Sequence, residues 1–159
     1  MSEPIRLYEI PPSPNNIKVR VAMNYKGIPF ERIPLSRDAS GKDLDRTAVI
    51  AATGQPLTPA IEHEGRALFD SAAILCYLEA NFPGTPPLFS TDVDTLRAIE
   101  GEERWARTVL SGPFTKTIRM FFAGQADADA VEQANREFQR LTGRIETILE
   151  KSPWLAGNS

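Results

Sequence analysis

Apolar and polar positions alternate from Ile5 to Ile10, which predicts a strand. Pro11, Pro12 and Pro14 lack an N–H, so pairing cannot continue past them. From Ile17 the apolar positions fall at Ile17, Val21 and Tyr25 with Ala22 beside them, a helical spacing closed by Gly27. Ile28–Leu35 reads as a second strand, and strand–helix–strand over this length predicts a parallel βαβ unit. A short helix is expected around Lys42–Ala51. Thr58–Glu62 and Arg66–Phe69 then flank His63-Glu64-Gly65 as a β-hairpin. Asp70 and Ser71 precede the periodic run Ile74, Leu75, Leu78 and Phe82, the signature of a capped helix start.

The Pro-rich stretch PGTPPLFST, 83–91, reads as a linker, and the remainder is helical. One helix is expected from about Asp92 to Phe122, with Leu96, Ile99, Ala106, Val109, Leu110, Phe114 and Ile118 along one side and a kink at Ser111-Gly112-Pro113. A second carries Val131, Ala134, Phe138, Leu141, Ile145 and Ile148 and predicts a buried stripe. Two helices cannot cover both stripes, so another surface is required. The fold class is therefore α/β of order βαβ-α-ββα over 1–82, a linker over 83–91, and an all-α domain over 92–159.

Composition narrows the function classes. The chain has 18 basic and 21 acidic residues among 159, a net charge of −3 spread evenly between its halves. No basic face emerges, which argues against nucleic acid as a partner. No apolar run reaches membrane-spanning length, and the N-terminus lacks the apolar core of a secretion signal. A cytoplasmic protein is expected. The one cysteine, Cys76, excludes an internal disulfide and a CxxC pair; among Leu75, Tyr77 and Leu78 it reads as a packing residue. His63, the one histidine, is expected to be solvated in the hairpin turn. One histidine and one cysteine leave no metal-binding set.

The candidate chemistry lies at helix openings. The first N–H groups of a helix lack internal partners and face the positive end of its dipole. Ser13 can donate a hydroxyl there and Asn15 an amide, which suits a thiolate, carboxylate or phosphate. No glycine-rich loop is present, so one small anionic group fits better than a phosphate. Both residues are also common N-caps, and ordinary capping is the alternative. A cis bond at Thr58–Pro59 would offer both backbone groups of residue 58 to an extended peptide. Asp70 and Ser71, at a second helix opening, would take an ammonium and a carboxylate, or would merely cap.

SPNNIKVRVAMNYKGIPFE (13–31), LTPAI (57–61), LFDSAAILCYLE (68–79) and WLAGNS (154–159), in this order and spacing, resemble the cytosolic glutathione S-transferases, and the Ser-Pro-Asn form resembles their bacterial-type members. The resemblance covers essentially the whole chain. It implies a thioredoxin-like first domain and a helical second domain, with glutathione as co-substrate and no metal. Ser13 matches the catalytic hydroxyl position, with Asn15 near the sulfur. Thr58 ahead of Pro59 would pair with the cysteinyl backbone. Asp70 and Ser71 would hold the γ-glutamyl end, and Lys42 or Arg46 would meet the glycine carboxylate. Tyr8, near where other classes place a catalytic tyrosine, ranks behind Ser13. The family continues with further helices, so the helical domain is expected to be incomplete.

The resemblance implies conjugation of the glutathione thiolate to a small hydrophobic electrophile by a homodimer, with Arg104, Trp105, Arg107 and Thr108 as pocket candidates. The alternatives are glutathione-dependent disulfide or peroxide reduction, and a non-catalytic binding or adaptor role. Thr53-Gly54-Gln55-Pro56-Leu57 departs from the family's Asn-Pro-x-Gly step before the cis-proline strand.

Overall fold

A computed structural model describes residues 3–124 and 127–157; the last two residues of WLAGNS, and the extreme ends of the 1–82 and 92–159 segments, lie outside them. The chain forms two compact units that divide between Phe89 and Ser90.

The first unit holds a four-stranded sheet of order β2-β1-β3-β4. Strand β1 (Ile5–Glu9) and β2 (Phe30–Pro34) are parallel, and helix α1 (Pro14–Tyr25) connects them. Pro14 stands at the first helical position, where its missing N–H costs nothing. Helix α1 ends at Lys26 followed by Gly27, whose φ of 65° is the left-handed conformation glycine tolerates. Strands β3 (Ala60–His63) and β4 (Arg66–Phe69) are antiparallel. Glu64 and Gly65, with φ of 49° and 73°, make the two-residue turn between them.

Period-two alternation sorts β1 onto two faces. Ile5 and Leu7 join Val19, Ala22 and Met23 of α1, Ile61 of β3, and Ile74 and Leu78 of α3 (Ser71–Asn81) in the main core. Tyr8 points the other way, to Val49 of α2 (Thr47–Thr53) and Ala60. Each fully buried aliphatic side chain here stabilises the fold by about 1.5–3 kcal/mol. This is the thioredoxin-like arrangement that the family resemblance implies.

Four expectations need correction. Ile17, Val21 and Tyr25 lie on the exposed side of α1, and Asn16, Val19, Ala22 and Met23 form its buried face. The helix expected over 42–51 starts only at Thr47. Before it, the Asp38 carboxylate accepts from the Ser40 hydroxyl at 2.6 Å, and Asp45 accepts from the Thr47 amide at 2.9 Å. These local bonds favour turns over helix. His63 is the last residue of β3 and is buried, its Nδ1 2.7 Å from the Tyr77 hydroxyl and its ring against Phe82. Cys76 is exposed, because α3 turns Ile74 and Leu78 inward instead.

The segment after α3 is held to the first unit. Lys26 Nζ donates to the Pro86 carbonyl at 3.0 Å, the Leu88 amide donates to Glu79 at 3.0 Å, and Leu88 packs on the core.

The second unit is helical. Helix α4 (Val93–Trp105) is capped by Asp92, which accepts from the Thr95 amide at 2.8 Å. A π-helical turn, Ala106–Leu110, leads into α5 (Ser111–Phe122). The one helix expected from Asp92 to Phe122 is thus interrupted by a widened turn that ends before Ser111-Gly112-Pro113, and Pro113 has no N–H for the ladder. Helix α6 (Ala128–Leu149) carries the stripe in the expected phase, and Phe138 meets Phe114 with ring centroids 6.1 Å apart. As expected of two helices alone, neither stripe is fully covered: among the described residues of this unit only Leu141 is buried, while Val109 and Ile118 of the first stripe and Val131 of the second stay exposed. Arg144 joins α6 to α4 with paired bonds of 2.6 and 2.7 Å to Glu102 and stacks 4.6 Å above Trp105. Among the described residues no helix is long and apolar enough to cross a membrane.

Candidate functional site

Sheet register gathers the candidate residues. Tyr8 pairs with Ala60, and Ala60 with Phe69, so these three form one row across β1, β3 and β4. Strand β1 runs out of the sheet past this row toward Ser13. Strand β3 enters it there from Thr58 and Pro59. Strand β4 leaves it there toward Asp70 and Ser71. Ser13, Thr58, Pro59, Asp70 and Ser71 therefore share one end of the sheet. Strand β2 is parallel to β1 and exits at the same end, into the loop that carries Lys42.

Ser13 is the N-cap residue of α1, with extended backbone at φ −70° and ψ 128°, but its side chain makes no capping hydrogen bond. Its amide donates to the Ile10 carbonyl at 2.9 Å, closing the proline turn. Ser13 is half-buried and Asn15 is exposed. No acidic residue stands in the first turn of α1, so nothing there opposes an incoming anion.

The Thr58–Pro59 peptide bond is cis, with Pro59 buried and Thr58 half-buried immediately ahead of β3. The preceding loop is braced by Gln55, whose side chain accepts from the Leu57 amide at 2.6 Å and donates to the Leu57 carbonyl at 3.1 Å. Arg46 donates to the Pro56 carbonyl, which ties it to the same loop.

Asp70 caps α3 through one carboxylate oxygen, accepting from the amides of Ala72 at 2.8 Å and Ala73 at 3.3 Å. Its backbone lies at φ 72° and ψ 122°, outside the regions an L-residue ordinarily occupies. Such a conformation costs on the order of 1–3 kcal/mol and persists where its surroundings enforce it. Asp70 is exposed while Ser71 is buried. Lys42 is exposed; its backbone is held by Ser40 and Arg37, which leaves its ammonium out of those bonds.

Tyr8 is differently placed. It is buried on the α2 face, and its hydroxyl donates to Glu62, which also accepts from Arg6 at 2.7 Å. Burial, then the bond to the Glu62 carboxylate, pushes its phenol up to about 12. A hydroxyl so engaged is a poor partner for a second anion. Thr108 and Arg107 sit in the π-turn, where the Thr108 hydroxyl donates to the Arg104 carbonyl at 2.8 Å. No metal-binding group of three His, Cys, Asp or Glu side chains occurs among the described residues.

Residues 7–86, half of the chain, match the family described as glutathione S-transferase, N-terminal domain. The chain belongs to the glutathione S-transferase family. Glutathione S-transferase 3 of Zea mays is 26% identical over 98% of this chain and 71% of its own length. Maleylacetoacetate isomerase of Pseudomonas aeruginosa is 33% identical over 55% of this chain, which spans 42% of that relative's length. Among solved structures, poplar glutathione transferase F1 superposes with a TM-score of 0.81 at 20% identity, over 99% of this chain and 75% of its own. A glutathione S-transferase of Methylobacterium radiotolerans in complex with glutathione sulfonate gives 0.74 at 26% identity, over 99% of this chain and 72% of its own.

Two residues of this transferase-family chain escape a sequence reading of the site. Glu9 is fully buried beside the proline turn, against Arg20 of α1 and Arg32 of β2. Asn16, not Asn15, is the buried asparagine, and its Oδ1 accepts from the Ile10 amide at 3.3 Å. The available signal is a charge at Glu9 in register with the core positions Ile5 and Leu7.

Proposed function

We propose that this chain is a glutathione transferase that adds the glutathione sulfur to a small hydrophobic electrophile. The observation that carries the reading is the free Ser13 hydroxyl: it stands at the opening of α1 without serving as its cap. The residues present suit an extended tripeptide with charged ends. The thiolate accepts from Ser13, with Asn15 as a second donor. The backbone of Thr58, ahead of Pro59, pairs with the cysteinyl unit. Asp70 takes the γ-glutamyl ammonium, and the Ser71 amide and hydroxyl take its carboxylate, the next α3 amides being held by Asp70 itself. Lys42 meets the glycine carboxylate.

The energetics are of the right size. A thiol of ordinary pKa about 8.5 is only about 3% ionised at pH 7. Lowering it by about two units needs roughly 2.7 kcal/mol. A charge-assisted hydrogen bond supplies roughly 1.5–3 kcal/mol, and a helix opening about 0.3–1 more. The thiolate attacks the electrophilic carbon, the new S–C bond forms, and the leaving group departs with its electron pair.

A cytoplasmic homodimer belongs to this reading, supported by the half-covered apolar stripes of the second unit. The relative named as an isomerase favours one other reaction: reversible addition of the same thiolate to an electron-poor double bond, rotation, and elimination. Titrating the thiolate absorbance of bound glutathione in the parent and in Ser13→Ala tests the common step. A rise of about one to two pKa units in the variant is expected; an unchanged value removes Ser13 from the mechanism. Product analysis with an aryl halide and with a cis-alkene diacid then separates transfer from isomerisation.

A further inference from the structure

The Ser13 turn is held from beneath by a buried ion pair. Glu9 ends β1, immediately before the turn Ile10-Pro11-Pro12-Ser13, and its carboxylate is fully buried. Arg20, two helical turns from the start of α1, places Nε 3.2 Å from Glu9 Oε2. The same guanidinium uses Nη2 to donate to the Pro11 carbonyl at 2.9 Å. Arg32 of β2 donates to the other Glu9 oxygen. Two further bonds complete the turn, from the Ser13 amide to the Ile10 carbonyl and from the Ile10 amide to Asn16. Arg20 is thus the side chain that connects the buried charge to the backbone carrying Ser13.

We propose that Arg20, anchored on the buried Glu9 carboxylate, is a positioning residue that fixes the Ser13 turn so that its hydroxyl stays aimed at the ligand sulfur. The inference rests on the assignment of Ser13 to the thiolate. It follows from the fork of the guanidinium. Nε and Nη2 lie apart in one rigid plane, so one group meets both partners. Nη2 donates to the Pro11 carbonyl, while Nε faces Glu9 Oε2 as a charge contact without hydrogen-bond geometry, that oxygen having no donor among the described residues. A lysine ammonium carries the same charge on a single atom and cannot reproduce that spacing. Catalysis of this kind depends on geometry held before the ligand arrives, and a loosened turn would misplace the donor.

The test uses the full chain and two variants, Arg20→Lys and the double variant Glu9→Gln/Arg20→Gln, which removes both charges and leaves no unpaired buried carboxylate. Hydrogen exchange is read at the Ser13 amide, the thiolate titration on bound glutathione, and turnover on an aryl halide. Expected are Ser13 exchange faster by about tenfold, a bound-thiol pKa higher by about half a unit, and kcat lower by about threefold with KM for glutathione within about twofold. Either folded variant that keeps the parent thiol pKa overturns the inference, even where Ser13 exchange quickens, since Arg20 then serves stability alone. If the parent binds glutathione and titrates normally, such a failure leaves the functional reading standing. A parent protein with no thiolate signal overturns both.

Discussion

Lys26 Nζ lies 2.7 Å from Glu79 Oε2, joining the end of α1 to the last turn of α3. The lysine side chain is almost fully buried, and the same carboxylate receives the Leu88 amide. One pair therefore ties two helices and the Pro-rich segment together. Glu79→Ala leaves the buried ammonium with the Pro86 carbonyl alone. It is expected to destabilise the protein by about 3 kcal/mol, read by urea unfolding. The Lys26 hydrogen bond holds the Glu79 carboxyl below its ordinary 4.5. A depressed carboxyl stabilises the fold above its unfolded value, and that contribution disappears as pH falls through the folded one. The acid limb of a stability profile should accordingly flatten in Glu79→Ala.

Ser13→Ala separates a cap from a catalytic donor. Loss of a true N-cap side chain costs about 1 kcal/mol. The Ser13 hydroxyl makes no capping bond, so unfolding of Ser13→Ala should match the parent within about 0.5 kcal/mol while turnover drops. A stability loss equal to that of an ordinary cap would return Ser13 to a structural role.

At Asp70 the backbone and the carboxylate make different demands. Its φ of 72° suits glycine, and its side chain caps α3. Asp70→Ala loses the cap and keeps the unfavourable backbone, for a cost of about 2 kcal/mol. Asp70→Gly relieves the backbone and should be the more stable of the two. Both lose the group assigned to the ligand ammonium, so glutathione affinity by calorimetry should fall alike. Retained affinity in either variant removes Asp70 from the binding set.

Tyr8 offers an alkaline counterpart. Its phenol stands at about 12, above the ordinary 10.0. A raised acid stabilises the folded state fully below its unfolded value and loses that contribution as pH climbs through the folded one. Stability should therefore decline between about pH 10 and 12, and Tyr8→Phe should remove that decline at a cost of about 1 kcal/mol at neutral pH. The thiol pKa of bound glutathione should stay at the parent value; a rise in Tyr8→Phe would make Tyr8 the thiolate partner.

Much of the first unit is legible in the chain itself. The alternation in β1, the prolines that end it, Gly27 and the Asp70-Ser71 pair are local signals, and each act over a few residues. What sequence does not reveal is non-local. Helix α1 carries two apolar sets of four-residue spacing offset by two residues, and only the sheet decides that Val19 and Met23 go inward while Val21 and Tyr25 stay out. His63 is buried because Tyr77 of α3 and Phe82 just past its end meet it, and Glu9 because arginines from two other elements do. Lys42 falls in a turn because the nearby carboxylates of Asp43 and Asp45 capture the Leu44 and Thr47 amides.

The row Tyr8–Ala60–Phe69 restricts how this protein can change through descent. A one-residue slip of β3 would turn Glu62 into the core and Ile61 out of it. It would also carry Thr58 about 3.3 Å along the strand. Innovation is confined to the loops beyond the row, which can lengthen, shorten and exchange side chains while the ladder beneath them stays inherited.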